Sequence, residues 1–266
     1  DRSFSPYNPV MGNVRNRTTE IHQNRIDLER YSNWTEKSTL DKKLNIGIVG
    51  GGISGSFAAM LLDNLGHNVT IWDKGRRASG RLSSKKLTSD SSIHVGSKSF
   101  DSLPKWMERY VSEWTRLKLV RMDGSSLVPI KPLSEIIKHL NKEVGVNYGC
   151  KVTSLEEKNE SVEITVKNQD SINKYQYDRV IVALPIEQAI DICDSLELEI
   201  YGKSDSIWVV WGPSEKIEQI PEHWESYYHS NGDGVMEIRI KNDLIIGSDK
   251  LNSKSVVDFV TDKLGV

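Results

Sequence analysis

The segment Leu44-Asn45-Ile46-Gly47-Ile48-Val49-Gly50-Gly51-Gly52-Ile53-Ser54-Gly55 decides the fold of this 266-residue chain. Its first half is a short apolar run of the kind that fills a buried strand, and three consecutive glycines stop it. Residues 53–65 continue as an apolar helical stretch, which Gly66 ends at its C-terminal cap. Asn68-Val69-Thr70-Ile71-Trp72 is β-branched and closes on Asp73, so it reads as a second strand. The whole has the size of a βαβ unit, about thirty residues.

Within that unit Gly50, Gly52 and Gly55 stand in G-x-G-x-x-G spacing at the junction of strand and helix. The first glycine permits a tight turn, the second lets backbone approach a pyrophosphate, and the third lets helix and strand pack closely. The helix N-terminus, where Ser54 lies, offers free N–H groups and a partial positive charge to phosphates. Asp73 ends the second strand, where a carboxylate accepts hydrogen bonds from ribose hydroxyls and disfavours a 2′-phosphate. These residues predict a Rossmann-type dinucleotide site in an α/β fold.

Outward from this unit, residues 1–43 are polar, with Pro6 and Pro9 and no sustained period, and read as an extended arm with one short helix near 26–31. The dinucleotide-binding core is expected over 44–100. A helical insertion follows over 101–130, where Leu103, Trp106, Met107, Tyr110, Val111, Trp114 and Leu117 recur at helical spacing over 101–118. The remainder of the nucleotide domain spans 131–195, with a helix over 133–144 after Pro132 and strands at 149–156, 161–167 and 179–183. A reduced second β-rich region is expected over 196–243, with strands at 207–211 and 234–240. Residues 244–266 form a return strand at 244–246 and a helix at 253–264, capped by Asn252 or Ser253.

Composition narrows the function classes. Hydrophobic residues make up 37% and charged residues 27%, with a formal net charge of −2, which points to neither nucleic acid nor an acidic partner. No window reaches the roughly 18 apolar residues of a membrane helix. Cys150 and Cys193, without a CxxC, read as small buried residues and not as a disulfide framework. The six histidines show no metal-ligand spacing, and His223 and His229 fall in a segment that reads as turn-rich. The chain begins at Asp1, from which we expect an organellar protein whose targeting segment has been removed, or otherwise a cytoplasmic one.

The segment Asp73-Lys74-Gly75-Arg76-Arg77-Ala78-Ser79-Gly80-Arg81-Leu82-Ser83 resembles the second-strand acid and G-G-R-type loop of the flavin amine oxidase superfamily, closest to its renalase-like members. Residues 177–185, Tyr-Asp-Arg-Val-Ile-Val-Ala-Leu-Pro, resemble the family's strand that returns to the cofactor, and 94–100 loosely resemble its flavin-side segment. The resemblance covers residues 44–195. It implies FAD as cofactor, with NAD(P) as second choice, and a hydride taken from an amine or a reduced dinucleotide. It adds Lys74 and Arg81 as cofactor contacts, Arg81 along the diphosphate, Val152 near the adenine, Ala183 at the end of the returning strand, and Asp249 at the flavin end.

Three departures from the family pattern lead to an alternative. Ser79 replaces the first glycine of the loop pair, Ser248 interrupts the Gly247–Asp249 return motif, and no glycine lies between Asp249 and Gly265. The interval from Leu196 to Leu244 is also short for a substrate domain. The alternative is a catalytically inactive, flavoprotein-like accessory subunit of a larger organellar, membrane-associated assembly. Trp208, Trp211, Trp224, Tyr227 and Tyr228 could form an aromatic cage, although the alternation in 208–211 favours plain strand packing. No acid, base or nucleophile is assigned.

Overall fold

The computed structural model describes residues 42–78, 80–86, 92–101, 103–196, 200, 207–213, 219–229, 235–241, 244–245 and 253–264. The arm expected over 1–43, apart from its last two residues, lies outside them, as do Ile246 and Asp249; the described part of the return strand expected at 244–246, Leu244 and Ile245, is not in a strand.

The molecule is built on a four-stranded parallel sheet. Strand β1 (Asn45–Val49) runs into helix α1 (Ile53–Asn64), which leads to β2 (Asn68–Asp73). β1 pairs with β2 in parallel register, Ile46 opposite Val69 and Val49 opposite Trp72. Ile46, Ile48 and Ile71 meet Ala59 and Leu62 of α1, so β1 is buried as its apolar run predicts. Gly66, at φ 94°, ends α1 through the left-handed backbone expected there.

The next segment differs from the sequence expectation at several points. After β3 (Ser84–Lys86) and β4 (Ser92–His94), a 3₁₀ turn at Lys105–Met107 precedes α2 (Glu108–Arg116), so the helix expected over 101–118 starts late. Pro104, held extended at ψ 144°, blocks helix upstream of that turn. Phe57 of α1 meets Tyr110, Trp114 and Trp106 edge-on at centroid distances of 4.9, 5.9 and 6.1 Å, which gives the predicted aromatic surface its partner. A hairpin, β5 (Val120–Asp123) and β6 (Ser126–Pro129), turns at Gly124 and was not legible as strands. Helix α3 (Ser134–Leu140) is shorter than 133–144, giving way to a turn at Asn141.

The strand expected at 149–156 is present as Lys151–Lys158, and a further strand that the sequence leaves unassigned precedes it. β7 (Gly145–Tyr148) joins the parallel sheet beside β2, and Gly149, at φ 70°, turns the chain into β8 (Lys151–Lys158). β8 forms an antiparallel meander with β9 (Ser161–Lys167) and β10 (Ile172–Tyr177). The run Asn173-Lys174-Tyr175-Gln176 in β10 is exposed on both faces and lacks the apolar alternation that marks a strand. β11 (Arg179–Val182) then pairs with the free side of β1, giving the order β11-β1-β2-β7, and α4 (Ile186–Cys193) follows.

A second, three-stranded antiparallel sheet has the order β12-β14-β13, from β12 (Ile207–Pro213), β13 (Glu225–His229) and β14 (Val235–Lys241). Residues 225–229, read as turn-rich, are therefore a strand. One face of this sheet packs Ile238 and Ile240 against Val256 and Val260 of α5 (Ser253–Leu264), whose bounds match the expectation. No described helix is long and apolar enough to cross a membrane. Cys193 is buried, Cys150 is partly buried, and both are free thiols.

Candidate functional site

The glycine loop is a backbone structure whose three motif glycines have different duties. Gly50 adopts φ 106° and donates its N–H to the Trp72 carbonyl at 2.8 Å; a Cβ there would stand 2.6 Å from the Ala183 carbonyl oxygen. A Cβ at Gly55 would stand 1.9 Å from the Gly50 carbonyl oxygen, so only glycine lets α1 start this close to β1. A Cβ at Gly52 would meet nothing within 4 Å. The packing reasons for glycine hold at positions 50 and 55 and are absent at 52, where the bare backbone faces open space.

Gly52 is also the N-cap of α1, so no side-chain oxygen caps that helix, and no acidic residue occupies its first turn. The orphan N–H groups of the first turn and the positive end of the helix dipole are thus not met by a side-chain cap or by an acid of the helix itself. Ser54, in that turn, is exposed, while Ser56 is buried beneath the loop. The space at Gly52 and the uncapped helix together fit a diphosphate.

Asp73 is fixed by the backbone on both sides. Its Oδ2 accepts the Gly51 N–H and its Oδ1 the Gly75 N–H, each at 2.6 Å. A carboxylate offers about four lone-pair sites, so two remain for ribose hydroxyls. Lys74, exposed, donates to Gln188 Oε1 of α4 at 2.8 Å and ties the loop to the returning segment.

The turn carrying Arg81 reaches the same place. Gly80 takes φ 53°, and a Cβ there would lie 3.1 Å from the Gly52 Cα, so the 80–82 turn stacks on the glycine loop. The Arg81 side chain is exposed. Ala183 donates its N–H to the Val49 carbonyl at 2.8 Å and lies under Gly50 and Gly55, supporting the loop from below. Val152 follows the corner at which Cys150 N–H bonds the Asp73 carbonyl, but its side chain is buried with Trp72, Leu155 and Ile164. Any contact it makes with a ligand is through its backbone.

Gly50, Gly52, Ser54, Gly55, Asp73, Lys74, Arg81 and Ala183 are therefore gathered at one end of the parallel sheet. Asp249 lies outside the described residues. Sequence reasoning passed over Gly51 and Gly75, the donors to Asp73, and Gln188; the glycines carried a signal in their closeness to the acid, Gln188 none.

The five proposed cage aromatics do not share one face. Trp208 and Trp224 belong to the core against α5, whereas Trp211 and Tyr227 flank Glu237 on the opposite face of the second sheet and are partly exposed. Among the described residues no group of three His, Cys, Asp or Glu side chains could hold a metal ion.

Comparison with known proteins follows this division. Residues 48–114 match the family model of an NAD(P)-binding Rossmann-like domain, and residues 110–199 that of flavin containing amine oxidoreductase. Among solved structures, the chain is similar to BexE, studied for oxidation during BE-7585A biosynthesis, at 12% identity and a TM-score of 0.57 over 82% of this chain and 48% of that one. It is similar to the OxyS anhydrotetracycline hydroxylase from Streptomyces rimosus, at 12% identity and a TM-score of 0.54 over 83% and 49%. It is similar also to p-nitrophenol 4-monooxygenase PnpA from Pseudomonas putida DLL-E4, at 10% identity and a TM-score of 0.52 over 84% and 62%. The chain thus spans about half the length of the first two and under two thirds of the third.

Proposed function

We propose, from the premise that this chain belongs to the flavin-dependent oxidoreductase superfamily, that it binds FAD across the glycine loop and serves hydride transfer from an amine or a reduced dinucleotide. The observation that carries the reading is the open space at Gly52 in front of an uncapped helix. The α1 N–H groups hold the diphosphate, Arg81 supplies a cation beside it, and the remaining lone pairs of Asp73 accept ribose hydroxyls. The cofactor, when bound, supplies a two-electron acceptor for hydride. Renalase-like amine oxidation is the finer form of this reading, resting on the 73–83 loop.

The test is an absorption spectrum of the natively purified full chain, followed by thermal unfolding with FAD, ADP or NADH added. Visible flavin bands, bleached by a candidate amine or by NAD(P)H, are expected. A colourless protein whose unfolding midpoint moves with neither FAD nor ADP overturns the proposal. A midpoint moved by NADH but not by FAD favours the second-choice cofactor instead.

A second reading is an inactive accessory subunit of an organellar, membrane-associated assembly. It draws on Ser79 in the loop pair and on the absence of glycine between Asp249 and Gly265. It expects flavin-free protein co-purifying with partner chains.

A further inference from the structure

The second sheet carries a buried charge cluster that none of the cofactor contacts uses. Glu237 of β14 is fully buried, and its carboxylate takes Lys98 on Oε2 and the Arg239 Nε on Oε1, the latter at 2.8 Å. Lys98 and Arg239 both lie over the Tyr227 ring, at 4.9 and 5.3 Å. A lone buried carboxylate would be costly; the two cations compensate it, and the ring face in turn attracts the cations.

The cluster does not end within its own sheet. Arg239 Nη2 donates to the carbonyls of His94 and Gly96, at 3.1 and 2.5 Å. Gly96 in turn lies directly on the Arg81 turn: a Cβ there would stand 1.9 Å from the Arg81 carbonyl oxygen. That oxygen accepts the Ser97 N–H at 2.9 Å, and the Gly96 N–H reaches the Ser83 carbonyl at 3.0 Å. The same turn stacks on Gly52 through Gly80. A continuous path of hydrogen bonds and contacts thus runs from Glu237 to the diphosphate cradle.

We propose that Arg239, oriented by the buried carboxylate of Glu237, is a positioning residue for the dinucleotide site: it clamps the His94 and Gly96 carbonyls and through them holds the 80–82 turn, with Arg81, on the glycine loop. The proposal rests on the reading of that loop as a diphosphate site. A planar guanidinium serves the carboxylate through Nε while its Nη2 reaches two carbonyls, which an ammonium cannot copy. The clamp makes docking of the second sheet and binding of the diphosphate mutually reinforcing.

The test uses the full chain with Arg239→Lys, which keeps the charge, and Arg239→Met, which removes it. Amide hydrogen exchange is expected to speed up at Gly96 and Ser97 in both variants, while exchange in β1 and α1 stays unchanged. ADP, the probe for the diphosphate, is expected to bind about tenfold more weakly to Arg239→Lys, the size of one charge-assisted hydrogen bond. That loss should vanish when the substitution is made on an Arg81→Ala background, because a residue acting through Arg81 has nothing left to position. An equal loss on both backgrounds, or unchanged exchange at Gly96 and Ser97, overturns the clamp. If Arg239→Met does not fold, Arg239→Lys decides alone. If the unmodified chain binds neither FAD nor ADP, the functional reading falls, and the exchange measurement still decides the clamp.

Discussion

Asp73 and Gly51 are joined by a 2.6 Å hydrogen bond from the Gly51 N–H to Oδ2, which makes the acid at the end of β2 part of the glycine loop before any ligand arrives. With Gly75 on Oδ1, the carboxylate braces two turns that would otherwise present unpaired donors. In Asp73→Asn one acceptor becomes an NH₂ group facing a backbone N–H. We expect stability to fall by about 1–3 kcal/mol, the cost of a half-buried unsatisfied group, together with weaker FAD binding. Urea unfolding with and without FAD measures both; a change in affinity alone would mean that the brace is not structural.

The glycine loop separates room for ligand from room for packing. Gly52→Ala adds a methyl group where nothing stands within 4 Å, so stability should be unchanged and FAD or ADP binding largely lost. Gly55→Ala drives a Cβ onto the Gly50 carbonyl and should destabilise the fold by about 1–3 kcal/mol through overpacking. Thermal unfolding and ADP titration of the pair test this, and a Gly52→Ala variant that binds ADP normally would remove the diphosphate from this place.

His67 accepts the Leu44 N–H on Nδ1 at 3.3 Å, and burial lowers its pKa below the ordinary 6.5. A lowered folded pKa means that below 6.5 the unfolded chain takes up a proton before the native one does, so stability falls with falling pH until the folded pKa is passed. His67→Asn, with an amide oxygen in place of Nδ1, should flatten the stability profile just below pH 6.5. Urea midpoints across that range report it; an unaltered slope would assign the acid sensitivity elsewhere.

Trp72 donates its Nε1–H to the Tyr177 hydroxyl at 2.8 Å inside the core, across the sheet from the site. Tyr177→Phe orphans that buried donor and should lower stability by about 1–3 kcal/mol while leaving ADP affinity intact. Burial also raises the Tyr177 pKa above its usual 10, so above that pH the unfolded chain loses its proton first and stability declines. The variant should lose part of this alkaline decline, as read from urea midpoints above about pH 10.

The βαβ unit was legible because its glycines, apolar run and acid each carry a local backbone requirement. β7 was not legible, for the opposite reason. Nothing local marks Gly145–Tyr148 as a strand, or marks Gly149, with which the strand expected at 149–156 begins, as a turn at φ 70° between two sheets. The charge cluster was invisible for a third reason. Met236-Glu237-Ile238-Arg239-Ile240 alternates as a strand with one wet face does, yet the face bearing Glu237 is covered by residues 94–98 and the ring of Tyr227. Alternation reports which side chains share a face and not what lies against it.

The strand order β11-β1-β2-β7 also sets a schedule for the newborn chain. β1 emerges early and is flanked at once by β2, but its other edge stays unpaired until Arg179–Val182 has left the ribosome. During that interval Ile46 and Ile48 border an open row of amides and carbonyls that a neighbouring polypeptide could pair with. Translation slowed between residues 73 and 179 would lengthen that exposure, and a chaperone bound to this edge would protect the chain in the meantime.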